Sequence, residues 1–468
     1  MGRIVMGALT PHPPIIIAEV GGNERDKAGR TIDGMRQLTQ DLLAAKPKTL
    51  VIISPHGPVF QDAIFILGWE KLSGNFAKFA ASDVKLEFTN DLKLAQAIEQ
   101  AARARGIVAL VGKKDDAKRY GIDLALDHGV MVPLDFLRRS GFAGEIVVMG
   151  MAMFANDELY EFGRAIQDAI AVGTDDVAVI ASGDLSHRLT PDAPAGYNAR
   201  GSEFDQTILA HLQNNDFAGI MNMEQDLQAA AGECGYRPLN ILLGVFDGYQ
   251  VKTNVYSYEG PFGVGYMVAG LMPQGVAEEQ QDLVGNFRQI RLSRIEEARL
   301  HQHPTVRLAV QSLEHFLRTG DYLTDYAALP DELPQRAGVF VSIKQQGQLR
   351  GCIGTIAPTQ ANLAQEIIHN AVRAGTQDPR FDPLTLPLGE LSFSVDILGQ
   401  VEQIKSEAEL DPQQYGVIVH RNGRSGLLLP NLEGIDSALE QVAIAKKKAG
   451  IGPHEAVELS RFVVKRFT

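Results

Sequence analysis

Short apolar runs alternate with amphipathic stretches over roughly the first 270 residues. The apolar runs are continuous, as in strands covered on both faces, and they predict strands at 4–9, 49–54, 63–67, 145–149 and 177–181. Between them, apolar positions recur at helical spacing and predict helices at 33–45, 91–105, 157–171 and 203–212. Alternating strands and helices predict an α/β fold with an open, mainly parallel sheet and helices on both faces.

The pattern changes after residue 272. A β-rich stretch at 251–272 is followed by a polar segment without alternation, which we interpret as a linker over 273–290 between domains at 1–272 and 291–468. The second domain has helical patterns at 306–317, 362–374 and 435–449 and strand patterns at 338–342, 390–398 and 415–420. This uneven order predicts a smaller α+β domain.

Composition narrows the class of protein. The net charge of −13 argues against nucleic-acid binding, which depends on clustered basic residues. No apolar run approaches the roughly 20 residues of a membrane span, the first residues lack a signal-peptide core, and the two cysteines are far apart in sequence. We therefore expect a cytoplasmic protein without a disulfide framework, with small-molecule or protein partners and no nucleic-acid or membrane partner; a homo-oligomer is compatible with the sequence.

Three histidines follow predicted strands directly: His12, His56 and His187. Strand ends in an open α/β sheet converge on one crevice, so these side chains are expected to be neighbours. Prolines flank His12 and His56 and restrict the backbone that presents them. Each could be an ordinary surface-loop histidine, but the pattern favours a mononuclear metal site at His12 and His56. Imidazoles suit Fe(II), zinc or copper.

Two other polar positions are candidates for acid/base and substrate roles. Asp184 precedes His187 by three residues; if a helix begins there, the carboxylate could orient the imidazole as a base, or it could simply cap the helix. His128 follows Asp127 and could contact substrate or be a buried structural histidine.

The third metal ligand is left open by the sequence. Glu233 would complete a 2-His-1-carboxylate triad typical of non-haem Fe(II) oxygenases, whereas the adjacent Cys234 would supply a softer thiolate or be a buried apolar residue. Glu259 is a further candidate. In the C-terminal domain, Cys352 lies between glycines near Arg350, which is compatible with a reactive thiol or with a small residue packed in a sharp turn.

Four motifs of the N-terminal domain resemble those of class III extradiol ring-cleavage dioxygenases of the LigB type: Pro11-His-Pro-Pro, Ser54-Pro-His-Gly, Leu126-Asp-His-Gly and Gly183-Asp-Leu-Ser-His. The resemblance covers about residues 1–270. It implies iron ligation by His12 and His56, acid/base catalysis by His187 and substrate contact by His128. It also implies a carboxylate ligand near residues 231–237.

At that last position the chain departs from the dioxygenase pattern. Cys234-Gly-Tyr-Arg-Pro and Asp184 look closer to Memo proteins, relatives that have a cysteine where the dioxygenases have glutamate. The C-terminal motifs are similar to the AMMECR-type domain over about residues 290–468: Leu349-Arg-Gly-Cys-Ile-Gly-Thr, Asp378-Pro-Arg-Phe, Gly426-Leu-Leu-Leu-Pro and Lys447-Lys-Ala-Gly. The fusion resembles component A of systems that pair Memo-like, AMMECR-type and radical SAM proteins, which implies a radical SAM partner.

Two functions are therefore expected. The first is an Fe(II)-dependent, extradiol-dioxygenase-like oxidoreductase that acts on a catechol-like small molecule, with His187 as acid and base. The second is a Memo-like module that binds iron or copper and works with the AMMECR-type domain and a radical SAM partner, without ring cleavage.

Overall fold

The computed structural model describes residues 1–277, 282–345, 348–389, 391–432 and 434–468. The chain forms two compact units, Met1–Ile290 and Arg291–Thr468, and each is described by itself. Among the described residues, no helix combines the length and the apolarity needed to cross a membrane.

An eight-stranded sheet forms the centre of the N-terminal unit over its described residues, in the order β6-β3-β7-β2-β8-β1-β10-β9. Its strands are β1 (Arg3–Thr10), β2 (Thr49–Ile53), β3 (Ile64–Leu67), β6 (Ala109–Gly112), β7 (Glu145–Met149), β8 (Asp176–Ser182), β9 (Tyr249–Glu259) and β10 (Tyr266–Val276); β4 (Lys71–Phe76) and β5 (Ala81–Thr89) form a separate hairpin. Strands β7, β2, β8 and β1 run parallel, and β1, β10 and β9 are antiparallel neighbours. All five predicted strands lie in this sheet.

Helices cover both faces of the sheet, which confirms the predicted α/β architecture. They are α1 (Ala18–Gly21), α2 (Gly29–Ala44), α3 (Leu92–Ala104), α4 (Lys114–Arg119), α5 (His128–Arg139), α6 (Asn156–Val172), α7 (Ala199–Gln213), α8 (Phe217–Met221), α9 (Gln225–Ala231) and α10 (Tyr236–Val245). On β8, Val177 and Val179 belong to the apolar core that includes α3, α6 and α10. Ala178 and Ile180 belong to the core that includes α2 and α5. Successive side chains of a strand point to opposite faces, so both sets must be apolar.

The predicted linker over 273–290 is partly regular structure. Strand β10 continues to Val276, where it pairs with Tyr249, and α11 (Leu283–His301) begins before residue 290. The division between the two units falls inside α11. The sequence shows little alternation of apolar and polar residues here, because α11 is largely polar and only its Val284 and Phe287 are buried. Residues 278–281 lie outside the described ranges.

The C-terminal unit has α12 (Pro304–Thr319), β11 (Val339–Gln345), β12 (Gln348–Gly354), α13 (Leu363–Thr376), β13 (Leu391–Leu398), β14 (Glu402–Ile404), β15 (Gly416–Arg421), β16 (Arg424–Leu428), α14 (Ala438–Lys448), β17 (Glu458–Phe462) and β18 (Val464–Phe467). Its described strands form two antiparallel four-stranded sheets, β12-β11-β13-β18 and β14-β17-β15-β16. The predicted α+β class is confirmed. Glu390, the first residue of one predicted strand, lies outside the described residues.

Candidate metal centre

The candidate site lies where three adjacent parallel strands end. His12 follows β1, His56 follows β2, and Asp184 and His187 follow β8. Since β2, β8 and β1 are neighbours in the sheet, their carboxyl ends meet at one edge, the usual location of ligand sites in open α/β sheets. The sequence expectation that these loops converge is met by the geometry.

The His12 imidazole is buried and its orientation is fixed. Its Nδ1 lies 2.9 Å from the Ser182 hydroxyl, and that hydroxyl donates to the carbonyl of Gly129 at 2.5 Å. Because a hydroxyl has one hydrogen to donate, Ser182 must accept from His12 Nδ1–H. The lone pair of His12 is therefore on Nε2, which lies 3.0 Å from His56 Nε2.

Cys234 lies beside the same nitrogen. Its Sγ lies 3.6 Å from His12 Nε2 and 3.6 Å from His187 Nε2. The loop that carries it touches the loop after β8: a Cβ on Gly183 would lie 2.2 Å from the Cα of Gly235, so only glycine permits this approach. Burial raises the pKa of the Cys234 thiol well above its usual range, which keeps it protonated until a cation displaces the proton.

Two groups of side chains could hold a metal ion among the described residues, and both include His12. One is His12, His56 and His128; the other is His12, Asp184 and Cys234, with the ligand atoms of each group within 4.8 Å of one another. Two atoms bound tetrahedrally to one ion lie roughly 3.3–3.7 Å apart, close to the 3.0 and 3.6 Å that separate His12 Nε2 from His56 Nε2 and Cys234 Sγ. Nitrogen and sulfur donors at this spacing fit a transition metal ion.

The two glutamates that the sequence offers as ligands are engaged elsewhere. Glu233 Oε2 accepts a hydrogen bond from the backbone N–H of Tyr236 at 2.6 Å, at the start of α10. Glu259 Oε1 accepts from the N–H and the hydroxyl of Thr31 at 2.6 and 2.7 Å, in the first turn of α2. Neither belongs to a metal-competent group within the described residues. The structure thus brings Cys234, and not Glu233 or Glu259, to His12.

Asp184 and His187 are placed differently from the expected acid/base pair. No helix begins after Gly183, and the next helix starts at Ala199, so the expectation of a shared helical face or a helix cap at Asp184 is wrong. The segment after β8 is instead a loop whose backbone packs closely against Gly235. Asp184 Oδ1 instead accepts from the backbone N–H of His12 at 3.0 Å. Burial raises the pKa of Asp184 to about 7.

The histidines of the site are neutral near physiological pH because burial disfavours their charged forms. Burial, with the neighbouring imidazoles, lowers the pKa of His12 well below its usual range and lowers the pKa of His187. Burial also lowers the pKa of His56 and, together with His56, lowers the pKa of His128 to about 4. Neutral imidazole is the form that binds metal or accepts a proton.

His128 lies in the first turn of α5 and contacts a cavity of about 860 Å³. Its ring stacks on His56 with centroids 4.3 Å apart and an interplanar angle of 27°. The cavity is also lined by Phe60, Lys78, Phe79 and Tyr120. His56 and His128 line the same cavity, so the candidate metal centre borders it.

Sequence reasoning missed two contributors to the site. Ser182, which sets the His12 tautomer, stands one residue before the Gly183 motif and carries a hydroxyl at a strand end, a signal that could have been used. The β4–β5 hairpin supplies Lys78 and Phe79 to the cavity wall; alternate burial along β5 is visible in the sequence as apolar residues at every second position from 84 to 88. Cys352, the other candidate thiol, lies on β12 in the C-terminal unit.

Comparisons with known proteins identify both domains. The model of the LigB family, the catalytic LigB subunit of aromatic ring-opening dioxygenase, matches residues 6–269, and the AMMECR1 model matches residues 306–468. A protein of Clostridium acetobutylicum is 39% identical over 464 residues, which cover 98% of each chain. A Thermotoga maritima protein is 47% identical over 170 residues, 36% of this chain and 98% of its own.

Among solved structures, an uncharacterized protein from Pyrococcus horikoshii shares 30% identity and covers 35% of this chain and 88% of its own, with a TM-score of 0.33. The family assignment rests on the sequence models, the first of which spans more than half of the chain, and on the full-length Clostridium relative. The chain belongs to the LigB family, with its LigB domain joined to a C-terminal AMMECR1 domain.

Proposed function

We propose that the N-terminal unit binds one Fe(II) through His12, His56 and Cys234 and acts as an oxidoreductase on a small molecule in the adjoining cavity. The observation that carries the proposal is the unprotonated Nε2 of the buried His12 ring, which is flanked by His56 Nε2 at 3.0 Å and Cys234 Sγ at 3.6 Å. Bound iron would supply Lewis-acid and one-electron chemistry.

Cys234 is preferred to His128 as the third ligand because of ring orientation. A ring nitrogen binds a cation in the plane of its ring, and the stacked rings of His56 and His128 direct their lone pairs along nearly parallel planes rather than to one point. His56 is the exposed member of its group, and its Nε2 lies 3.0 Å from His12 Nε2. The His12 ring, in contrast, is held by Ser182.

The remaining groups of the site are suited to proton transfer and substrate binding. Neutral His187 can accept a proton on Nε2, the nitrogen that lies 3.6 Å from Cys234 Sγ. Phe60, Phe79 and Tyr120 line the cavity and would pack against a planar ring. We infer that the substrate is an aromatic molecule such as a catechol, with a hydroxyl that loses its proton to His187.

The test is anaerobic purification followed by metal analysis, Fe(II) titration and a panel of catechols with O₂. We expect one Fe(II) per chain and oxygen-dependent turnover of at least one catechol. His187→Ala should keep the iron and lose roughly 10²–10⁴-fold in turnover, the usual contribution of a positioned acid or base. A protein that binds iron but neither binds nor turns over any catechol would rule out the proposed substrate class.

A second candidate function is favoured by the same cysteine. The contact of Cys234, and not Glu233, with His12 supports the Memo-like alternative, a metal-binding module that works with partner proteins. We propose a radical SAM protein as that partner. Iron or copper binding without catechol turnover, together with a stable complex between the full chain and a radical SAM protein, would support it.

Removing the Ser182 hydroxyl should weaken metal binding without removing a ligand. In Ser182→Ala the His12 ring loses the acceptor that keeps its proton on Nδ1, so the Nε2–H tautomer competes with metal binding. Supporting hydrogen bonds of this kind contribute about 10–100-fold in metal affinity, and we expect a loss in that range by anaerobic Fe(II) titration. Ser312→Ala is the matched control, since Ser312 is equally buried and donates to a helix carbonyl in the other unit; equal affinities in the two variants would contradict the tautomer argument.

A further inference from the structure

A second group of polar side chains surrounds Cys352 on β12, the edge strand of its sheet. Ser342 lies opposite on β11 and its hydroxyl donates to Cys352 Sγ at 3.2 Å. The backbone of Cys352 is bound on its outer side: its N–H donates to Asp378 Oδ2 at 2.9 Å, and its carbonyl accepts from Arg380 Nη2 at 3.2 Å. The segment that follows α13 is therefore fixed along the edge strand at the thiol.

Arg350 is aimed at the same segment by a β-bulge. Ile343 pairs with Gly351 and Lys344 pairs with Leu349, which leaves Arg350 as the extra residue on β12. Bulges of this kind redirect a side chain and are common beside functional sites. Arg350 Nη1 donates to the carbonyl of Asp382 at 2.8 Å.

The two arginines line one groove. A cavity of about 400 Å³ is bounded by Arg350, Pro379, Arg380, Phe381 and Asp382. The guanidinium carbons of Arg350 and Arg380 lie 5.9 and 5.3 Å from the centroid of the Phe381 ring. Both cations are thus arranged around one aromatic ring at the wall of the groove.

Their charges are only partly compensated. Arg380 Nε and Nη2 form an ion pair with Asp378. The two N–H groups of Nη1 therefore remain available to donate to a ligand. Within the described ranges no carboxylate forms an ion pair with Arg350. Asp382, whose carboxylate is exposed at the groove, is the opposing charge.

Two basic side chains, Arg380 and Lys448, lie near the thiol. The pKa of Arg380 is raised mainly by its bond to Asp378 and in part by Cys352. Burial lowers the pKa of Lys448, at the end of α14, and Cys352 opposes that shift. Both cations therefore lie near Cys352.

We propose that this groove is an anion-binding site that takes the phosphate or carboxylate group of a small molecule and holds it beside the Cys352 thiol. Guanidinium groups match the planar, two-oxygen geometry of both anions. The edge-strand bulge, the fixed segment and the aromatic ring together hold the two guanidiniums in place. All of these residues belong to the C-terminal unit.

The test compares the rates at which Cys352 of the full chain is alkylated by iodoacetate and by iodoacetamide, resolved by mass spectrometry. In both reactions the thiolate sulfur forms a C–S bond, the C–I bond breaks, and iodide leaves with the electron pair, so the reagents differ in charge. We expect the iodoacetate-to-iodoacetamide rate ratio at Cys352 to exceed that of glutathione by about tenfold at low salt. A ratio equal to that of glutathione would overturn the proposal.

Variants and competing anions locate the effect. Arg350→Gln removes a positive charge and should lower the rate ratio about fivefold. Asp382 is exposed at the groove, and Asp382→Asn removes its negative charge and should raise the ratio. Arg336→Gln is the matched control, because Arg336 is in the same unit and donates to the backbone carbonyls of Gln360 and Pro358; an equal effect there would overturn the assignment to Arg350. Protection of Cys352 by inorganic phosphate or by acetate would identify which anion is preferred, and protection by neither would count against the site.

Discussion

Cys234→Ala should lose Fe(II) affinity by more than about 100-fold, beyond the 10–100-fold typical of residues that only support a ligand. The physical reason is that Cys234 Sγ is the soft donor next to the His12 Nε2 lone pair. Alanine leaves a buried gap that cannot coordinate. The measurement is anaerobic Fe(II) titration of the full chain, with bound iron quantified by metal analysis.

Two variants serve as controls for this prediction. Glu233→Gln keeps the acceptor for the Tyr236 N–H, and because burial raises the pKa of Glu233 to about 7, the amide is a close mimic of the protonated acid; we expect unchanged affinity. His128→Ala removes the ring stacked on His56 and should also keep the iron. Loss of iron only in Glu233→Gln would restore a carboxylate triad, and loss only in His128→Ala would identify the three-histidine group as the ligand set.

The fold was accessible from sequence because the signal for each buried strand is local. Five continuous apolar runs and four helical patterns between them match β1, β2, β3, β7 and β8 and the helices α2, α3, α6 and α7. Each of these strands is covered on both faces, so its interior positions are continuously apolar and its polar residues lie at its ends. Strand β6, at the edge of the sheet, was missed because it is short, and the separate β4–β5 hairpin was missed because its strands are half-exposed.

The meeting of His12 and His56 was also predictable, because parallel strand ends converge whatever the loop sequences are. The position of Cys234 beside His12 was not, since it depends on which of two adjacent side chains faces the crevice. That choice is made by Tyr236, whose N–H binds Glu233, and by the contact of Gly183 with Gly235. The first is a hydrogen bond at a helix end and the second is a contact between residues distant in sequence, and the spacing of apolar residues predicts neither.

Gly183→Ala should therefore destabilise the N-terminal unit and weaken its metal binding together. The added Cβ would lie 2.2 Å from Gly235 Cα, a backbone atom that cannot rotate away, so the loops bearing Asp184 and Cys234 must separate. Forced overpacking of this kind costs about 1–3 kcal/mol. Trp69, the chain's one tryptophan and a buried residue of this unit, reports its urea unfolding by fluorescence, and Fe(II) titration reports the site.

Gly29→Ala is the matched control for that substitution. Gly29 has helical φ and ψ of −59° and −41° at the start of α2, and a Cβ there would meet nothing within 4 Å. Alanine at such a position is neutral or stabilises by up to about 1 kcal/mol, because it restricts the unfolded chain. If Gly183→Ala unfolded like Gly29→Ala and kept full iron affinity, the close approach of the two loops would not be what brings Cys234 to His12. Loss of iron affinity with unchanged stability would instead mean that the loops part locally, so that the contact serves the metal site rather than the fold.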